Sequence, residues 1–167
     1  VLHHTDNTAH ALRNLSHRLK PGGHFLFYVY LRKAPIREFT DDWIRSAIKN
    51  LSDEEAWQAL ESLTQLGRAL GELDVYVDVP QDVPFLGICK GKHNLQRLFY
   101  YKICKAYYRP GYSLAEMNHV NFDWFRPANC HRHTPEEVKS YCADSGLEVE
   151  RLHVEESGTT VIARKRV

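Results

Sequence analysis

The chain has 167 residues, 43% hydrophobic and 26% charged, with a net charge of +1. An 11% aromatic content and a steady supply of Leu, Val and Ile need burial, which excludes a disordered chain. The longest uncharged run, Pro21 to Leu31, holds eleven residues, short of the roughly twenty that a membrane-spanning helix needs. Near-neutrality also argues against a surface built wholly for nucleic acid. The first residue is Val1, the only methionine is Met117 and no leader is present, so the sequence reads as a piece of a longer chain. Cys89, Cys104, Cys130 and Cys142 show no paired spacing and read as free thiols in a reducing, cytoplasmic compartment.

The first expected element is a helix from Asp6 to Leu19, capped by Thr5 or Asp6, with Thr8, Leu12, Leu15 and Leu19 on one face. Lys20-Pro21-Gly22-Gly23 stops it. His24 to Leu31 is apolar at nearly every position, the pattern of a strand covered on both faces in a parallel sheet. Between 33 and 133 lies a long insert. Ile36, Phe39, Trp43, Ile44, Ala47 and Ile48 predict one amphipathic helix. Ser52 with Glu55 caps another, with Ala56, Trp57, Leu60, Leu63, Leu66 and Leu70 on its inner face. Asp74 to Gly91 reads as extended or irregular, and Asn94 to Tyr107 as a third helix. Charge is segregated here: 53–82 carries eight acids and one base, and 83–115 carries six bases and no acid.

The C-terminal end begins with Thr134-Pro135-Glu136-Glu137, a capping box, followed by a helix with Val138, Tyr141 and Cys142 inward and Gly146 as its stop. Leu147 to Glu156 predicts a strand with a bulge near Arg151. Ser157-Gly158 turns it into an antiparallel return over Thr159 to Arg164.

Leu2-His3-His4-Thr5, the capped helix, Leu19-Lys20-Pro21-Gly22-Gly23 and the strand ending Val29-Tyr30 resemble the second half of class I S-adenosylmethionine-dependent methyltransferases. Phe122 to Pro127, then His131 to Val138 and Ser145-Gly146-Leu147, are similar to the block before the last helix of a subset of these enzymes. The resemblance covers both ends of the chain. It implies an α/β fold, the C-terminal part of a Rossmann-like, mostly parallel seven-stranded sheet. Its fourth strand ends at Val1-Leu2, its fifth is His24 to Leu31, and the terminal hairpin supplies the last two. On this basis 1–32 and 134–167 form a partial methyltransferase core, and 33–133 a mostly helical cap over the acceptor pocket. The implied activity is methyl transfer from S-adenosylmethionine to a small-molecule acceptor. Gly87 and Gly91 do not form the family's Gly-rich cofactor loop, so the chain alone is expected to bind the cofactor weakly and to be inactive.

Ligands of open α/β sheets sit at the carboxyl ends of strands, which puts Leu2, His3 and His4 beside the cofactor in the implied fold. His4 is then the candidate general base for an acceptor hydroxyl; the plainer reading is that the two histidines cap the next helix and pack. Tyr30, at the end of its strand, faces either the acceptor or a neighbouring helix. Asp123, Trp124 and His131 fall in an expected loop that either folds over the acceptor or is anchored by the tryptophan. Cys130, His131 and His133 lack a well-spaced fourth metal ligand. Residues 90–112 mix bases with tyrosines, which suits either RNA or an anionic partner, or a basic helix face balanced by its acidic neighbour.

Overall fold

The computed structural model describes all 167 residues, and they gather into two units: Val1–Arg32 with Ala128–Val167, and Lys33–Pro127. Residues 128–133 therefore lie with the sheet and not with the insert.

The first unit is a mixed α/β layer. Asn7, rather than Thr5 or Asp6, caps α1 (Thr8–Ser16), its side chain accepting from the His10 amide. Gly22 takes φ 75° in the turn that leads into β1 (His24–Leu31). At the other end, the Thr134–Glu137 box forms both of its reciprocal bonds at the start of α6 (Pro135–Asp144). β5 (Leu147–Val154) and β6 (Gly158–Lys165) make the terminal hairpin, with a register shift between Val149 and Arg151. A two-residue strand, β4 (Arg132–His133), runs parallel to the end of β1.

Strand order is β4-β1-β6-β5. Where the C-terminal part of a seven-stranded, mostly parallel sheet was expected, these residues form a four-stranded mixed sheet with the expected antiparallel hairpin, and only β1–β4 is parallel. A tight turn places β6 beside β5, and β6 then docks on β1 along its whole length, from His24 opposite Arg164 to Tyr30 opposite Gly158. Val1-Leu2 does not end a strand. Leu2–His4 closes a short 3-10 turn through His4 N–H to the Val1 carbonyl at 3.0 Å, and β4 occupies that flank of β1.

β1 is apolar on both faces, and the helices of the first unit, α1 and α6, pack on one of them. Phe27 and Val29 join Leu12 of α1, Val138 and Cys142 of α6, and Val161 and Ala163 of β6 in the core. Each fully buried Val or Leu there contributes about 1.5–3 kcal/mol. On the opposite face Leu26 is 66% exposed.

The second unit is built from α2 (Pro35–Ile48), α3 (Asp53–Glu72), β2 (Tyr76–Val79), β3 (Gly91–Asn94), α4 (Leu95–Lys102) and α5 (Leu114–Phe125). β2 lies in the stretch expected to be extended or irregular and pairs antiparallel with β3, which follows that stretch from Gly91 on. α4 ends at Lys102, short of Tyr107. α5 corrects the expectation of a loop around Asp123 and Trp124. Its Met117, Asn118, Asn121, Trp124 and Phe125 are buried at helical spacing, under a capping box of Ser113 and Glu116.

The inner face of α2 is the expected one only in part: Ile48 is buried, but the first half of the helix is turned differently. Arg37 and Asp41 point inward as a fully buried pair at 2.8 Å, which turns Phe39 and Trp43 out to about two-thirds exposure. α3 packs on α5 through a polar seam: the Thr64 hydroxyl donates to Asn118 Oδ1 at 2.6 Å and accepts from Asn121 Nδ2 at 2.8 Å. No helix of the chain is long and apolar enough to cross a membrane.

Candidate functional site

Alternation along β1 sends Phe27 and Val29 into the core and Tyr28 and Tyr30 to the other face. The Leu2–His4 turn sits at this edge of the sheet. Its residues fan out around a 3-10 axis, so Leu2 plugs the core while His3 and His4 lie on the tyrosines. The His3 ring centroid is 3.9 Å from that of Tyr30 and 4.4 Å from that of His4, and the His4 and Tyr30 centroids are 5.6 Å apart. Tyr28 completes the group at 6.1 Å from His3 and 5.9 Å from Tyr30. A Cβ on Gly158 would fall 2.3 Å from the Tyr28 phenol, so the glycine is what lets that ring lie against β6.

The segment that follows Ala128 ties down the turn. The His131 amide donates to the His3 carbonyl at 2.8 Å, and the His131 ring donates through Nε2 to the Thr5 carbonyl at 2.9 Å. His4 Nδ1 lies 2.7 Å from the Asn129 carbonyl oxygen. A carbonyl only accepts, so Nδ1 carries a proton, and in the neutral ring the lone pair is on Nε2. That is the arrangement of an oriented general base, an imidazole locked in one tautomer by a backbone acceptor.

His3 differs. It is 4% exposed, its Nδ1 has no hydrogen-bond partner, and burial, followed by the charge of the Val1 ammonium and of His4, lowers its pKa to about 3. It is therefore neutral at physiological pH and presents a buried acceptor, not a strong base. Burial lowers the pKa of His133 as well. The sign of the linkage follows: below pH 6.5 the unfolded chain takes up a proton that native His3 refuses, so stability falls as pH drops from 6.5 toward 3. His3→Phe is expected to remove about 3 kcal/mol of that acid loss by pH 4. Hydrogen exchange of the β1 amides against pH measures it, and parallel pH profiles for the two proteins would refute it.

Of the residues singled out in the sequence, Leu2, His3, His4, Tyr30 and His131 come together in the first unit. Asp123 and Trp124 belong to the second. Asp123 is exposed on α5. Trp124 is 5% exposed and its indole N–H donates to Asp41 Oδ2 at 3.0 Å, the packing-anchor alternative. Sequence reasoning missed Tyr28 as a partner of His3, Asn129 as the group orienting His4, and Gly158 beneath Tyr28. The apolar alternation of β1 carried the signal for Tyr28; a backbone carbonyl leaves none. No protein-family model, no curated protein and no solved structure matches this chain.

Proposed function

We propose that the first unit is part of a Rossmann-like S-adenosylmethionine-dependent methyltransferase acting on a small-molecule acceptor, with the His3–His4 turn at the rim where donor and acceptor meet. The observation that carries this reading is the arrangement at the carboxyl end of β1: an imidazole oriented by the Asn129 carbonyl, beside an unpartnered buried acceptor on His3 and two tyrosine rings. A sulfonium is a cation, and aromatic faces attract cations. His3 Nδ1 suits an N–H donor of the same ligand. When bound, S-adenosylmethionine supplies an electrophilic methyl group. His4 receives at Nε2 the proton that an acceptor hydroxyl loses, Asn129 holds the ring in place, and Tyr30 walls the contact.

The residues present fit one side of such a ligand. The five glycines with positive φ are Gly22, Gly87, Gly91, Gly111 and Gly146, and none leads from a parallel strand into a helix to receive the charged end of the cofactor. Binding by these 167 residues is therefore expected to be weak, with Kd above about 100 µM. Titration of the labelled chain with S-adenosylhomocysteine, followed by NMR, tests the reading. Saturable shifts at His3, His4 and Tyr30 are the expected result. Shifts confined to other residues, or none at 5 mM ligand, would overturn it.

A further inference from the structure

We propose that the second unit holds a binding site for a small planar aromatic anion, in a cavity where tyrosine rings form the walls and two unpaired arginines supply the anion contact. The proposal does not rest on the reading of the first unit.

The cavity measures about 800 Å³ and lies among the end of α3, β2, α4 and the segment after α4. Its size falls within the range of small-molecule pockets, roughly 300–1,000 Å³. Five tyrosines line it: Tyr76, Tyr100, Tyr101, Tyr107 and Tyr108. One wall is fixed by the backbone of α3. A Cβ on Gly71 would fall 2.1 Å from the Tyr108 ring, so that ring lies directly on the helix. Burial pushes the Tyr100 phenol up to about 12, which keeps this wall uncharged and free of repulsion toward an anion.

The charges of the lining are divided unequally. Its two acids are already engaged: Glu72 pairs with Arg68 at 2.6 Å, and Asp74 accepts from the Asn94 amide at 3.4 Å. Asp74 holds φ 45°, a left-handed backbone that a non-glycine residue adopts at a cost, where the chain turns from α3 into β2. Arg97 and Arg109 have no carboxylate partner. Arg97 rests over the Tyr100 and Tyr101 rings at 5.3 and 5.0 Å and gives one N–H to the Tyr101 hydroxyl at 3.2 Å. Arg109 lies over Tyr112 at 4.7 Å and gives one N–H to its hydroxyl at 3.0 Å.

A guanidinium has five N–H donors in a planar fork. Each arginine is thus held against tyrosine rings with most of its donors uncommitted, the form that takes a carboxylate or phosphate bidentately. Tyrosine walls stack a flat ring. The two features together select a ligand that is flat, aromatic and anionic at one end.

Calorimetry on the whole chain separates the sources of such an anion, using 2-naphthoate with neutral 2-naphthamide, and adenosine 5′-monophosphate with neutral adenosine. At least one anion is expected to saturate, its neutral counterpart to bind at least tenfold more weakly, and Arg97→Gln and Arg109→Gln each to weaken binding at least fivefold with Tm unchanged. Whichever anion saturates identifies carboxylate or phosphate as the recognised group. Failure of both anions to saturate by 5 mM would overturn the proposal, as would equal binding of the neutral compounds or arginine variants of unchanged affinity. Salt-sensitive binding of a single-stranded oligonucleotide in place of both would assign this face to nucleic acid instead, and would overturn it too.

Discussion

Asp41→Ala is expected to cost the second unit about 3–5 kcal/mol, because it strips the partner from a buried cation. Asp41 is 0% exposed and Arg37 is 1% exposed. One carboxylate oxygen takes Arg37 Nε at 2.8 Å and the other takes the Trp124 indole N–H at 3.0 Å. Arg37 also donates to the Tyr100 carbonyl, which fixes its guanidinium in place. Further positive charge lies close by, since Lys105 sits 4.5 Å and Arg45 5.9 Å from the Trp124 ring. Truncating Asp41 therefore leaves a buried guanidinium without its counter-charge and an indole N–H without its acceptor. Asp41→Asn keeps an acceptor and loses the charge, so it should fall between wild type and Asp41→Ala. Replacing both partners, as Arg37→Met with Asp41→Leu, removes the uncompensated charge and should recover most of the loss. All three tryptophans, Trp43, Trp57 and Trp124, belong to this unit, so tryptophan fluorescence in urea follows it selectively. An Asp41→Ala midpoint equal to that of wild type would show that the pair contributes nothing to stability.

The same pair explains where sequence reading stopped. Local signals were legible: the capping boxes at Ser52 and Thr134, the apolar run of β1 and the bulge before Arg151 all form where their chemistry places them. What depends on distant partners was not. Periodicity assigns Ile36, Phe39 and Trp43 to the inside of α2, since apolar residues bury more cheaply than ions. A salt bridge completed by Trp124, far along the chain, takes the inner position in the first half of the helix and leaves those side chains exposed, while Ile48 is buried as periodicity expects. α5 was within reach, because Ser113 and Glu116 repeat the spacing of the two boxes that were recognised. Its buried Asn118 and Asn121 weakened the apolar pattern, and they are inside because Thr64, the Trp57 carbonyl and the Tyr107 amide satisfy them.

The candidate site divides the same way. Its members on β1 and in the Leu2–His4 turn could be named from sequence, because strand ends and paired histidines are local features. The bond that fixes the His4 tautomer comes from a backbone carbonyl at position 129, and backbone atoms carry no sequence mark. Which face of β1 the helices of the first unit cover was equally invisible, since composition records that a strand is apolar but not which helices reach it.

Gly67→Ala with Gly71→Ala is the case in which propensity and packing predict opposite signs. Both glycines lie inside α3, where alanine is favoured by about 1 kcal/mol at each position. An exposed helix would gain about 2 kcal/mol from the pair. Here the chain from Cys104 to Tyr108 runs against the helix. A Cβ at position 67 would meet the Ala106 carbonyl carbon and oxygen at 2.7 Å and the Tyr107 oxygen at 2.8 Å. At position 71 it would meet Tyr108 Cδ1 at 2.1 Å and Cγ at 2.2 Å, near the root of the ring, where rotation gives little relief. The segment cannot retreat freely either: the Ala106 carbonyl accepts from Gln96 at 2.9 Å, and the Tyr107 amide donates to Asn121 at 3.1 Å. Overpacking of this kind costs up to about 3 kcal/mol at each site, so packing wins and the double variant is expected to lose about 4 kcal/mol net. Ala69→Gly, on the exposed side of the same helix, measures the propensity difference alone. If the double variant unfolds at a higher urea concentration than wild type, Cys104 to Tyr108 is not pressed against α3. The wall that Tyr108 gives the tyrosine-lined cavity would then be lost with it.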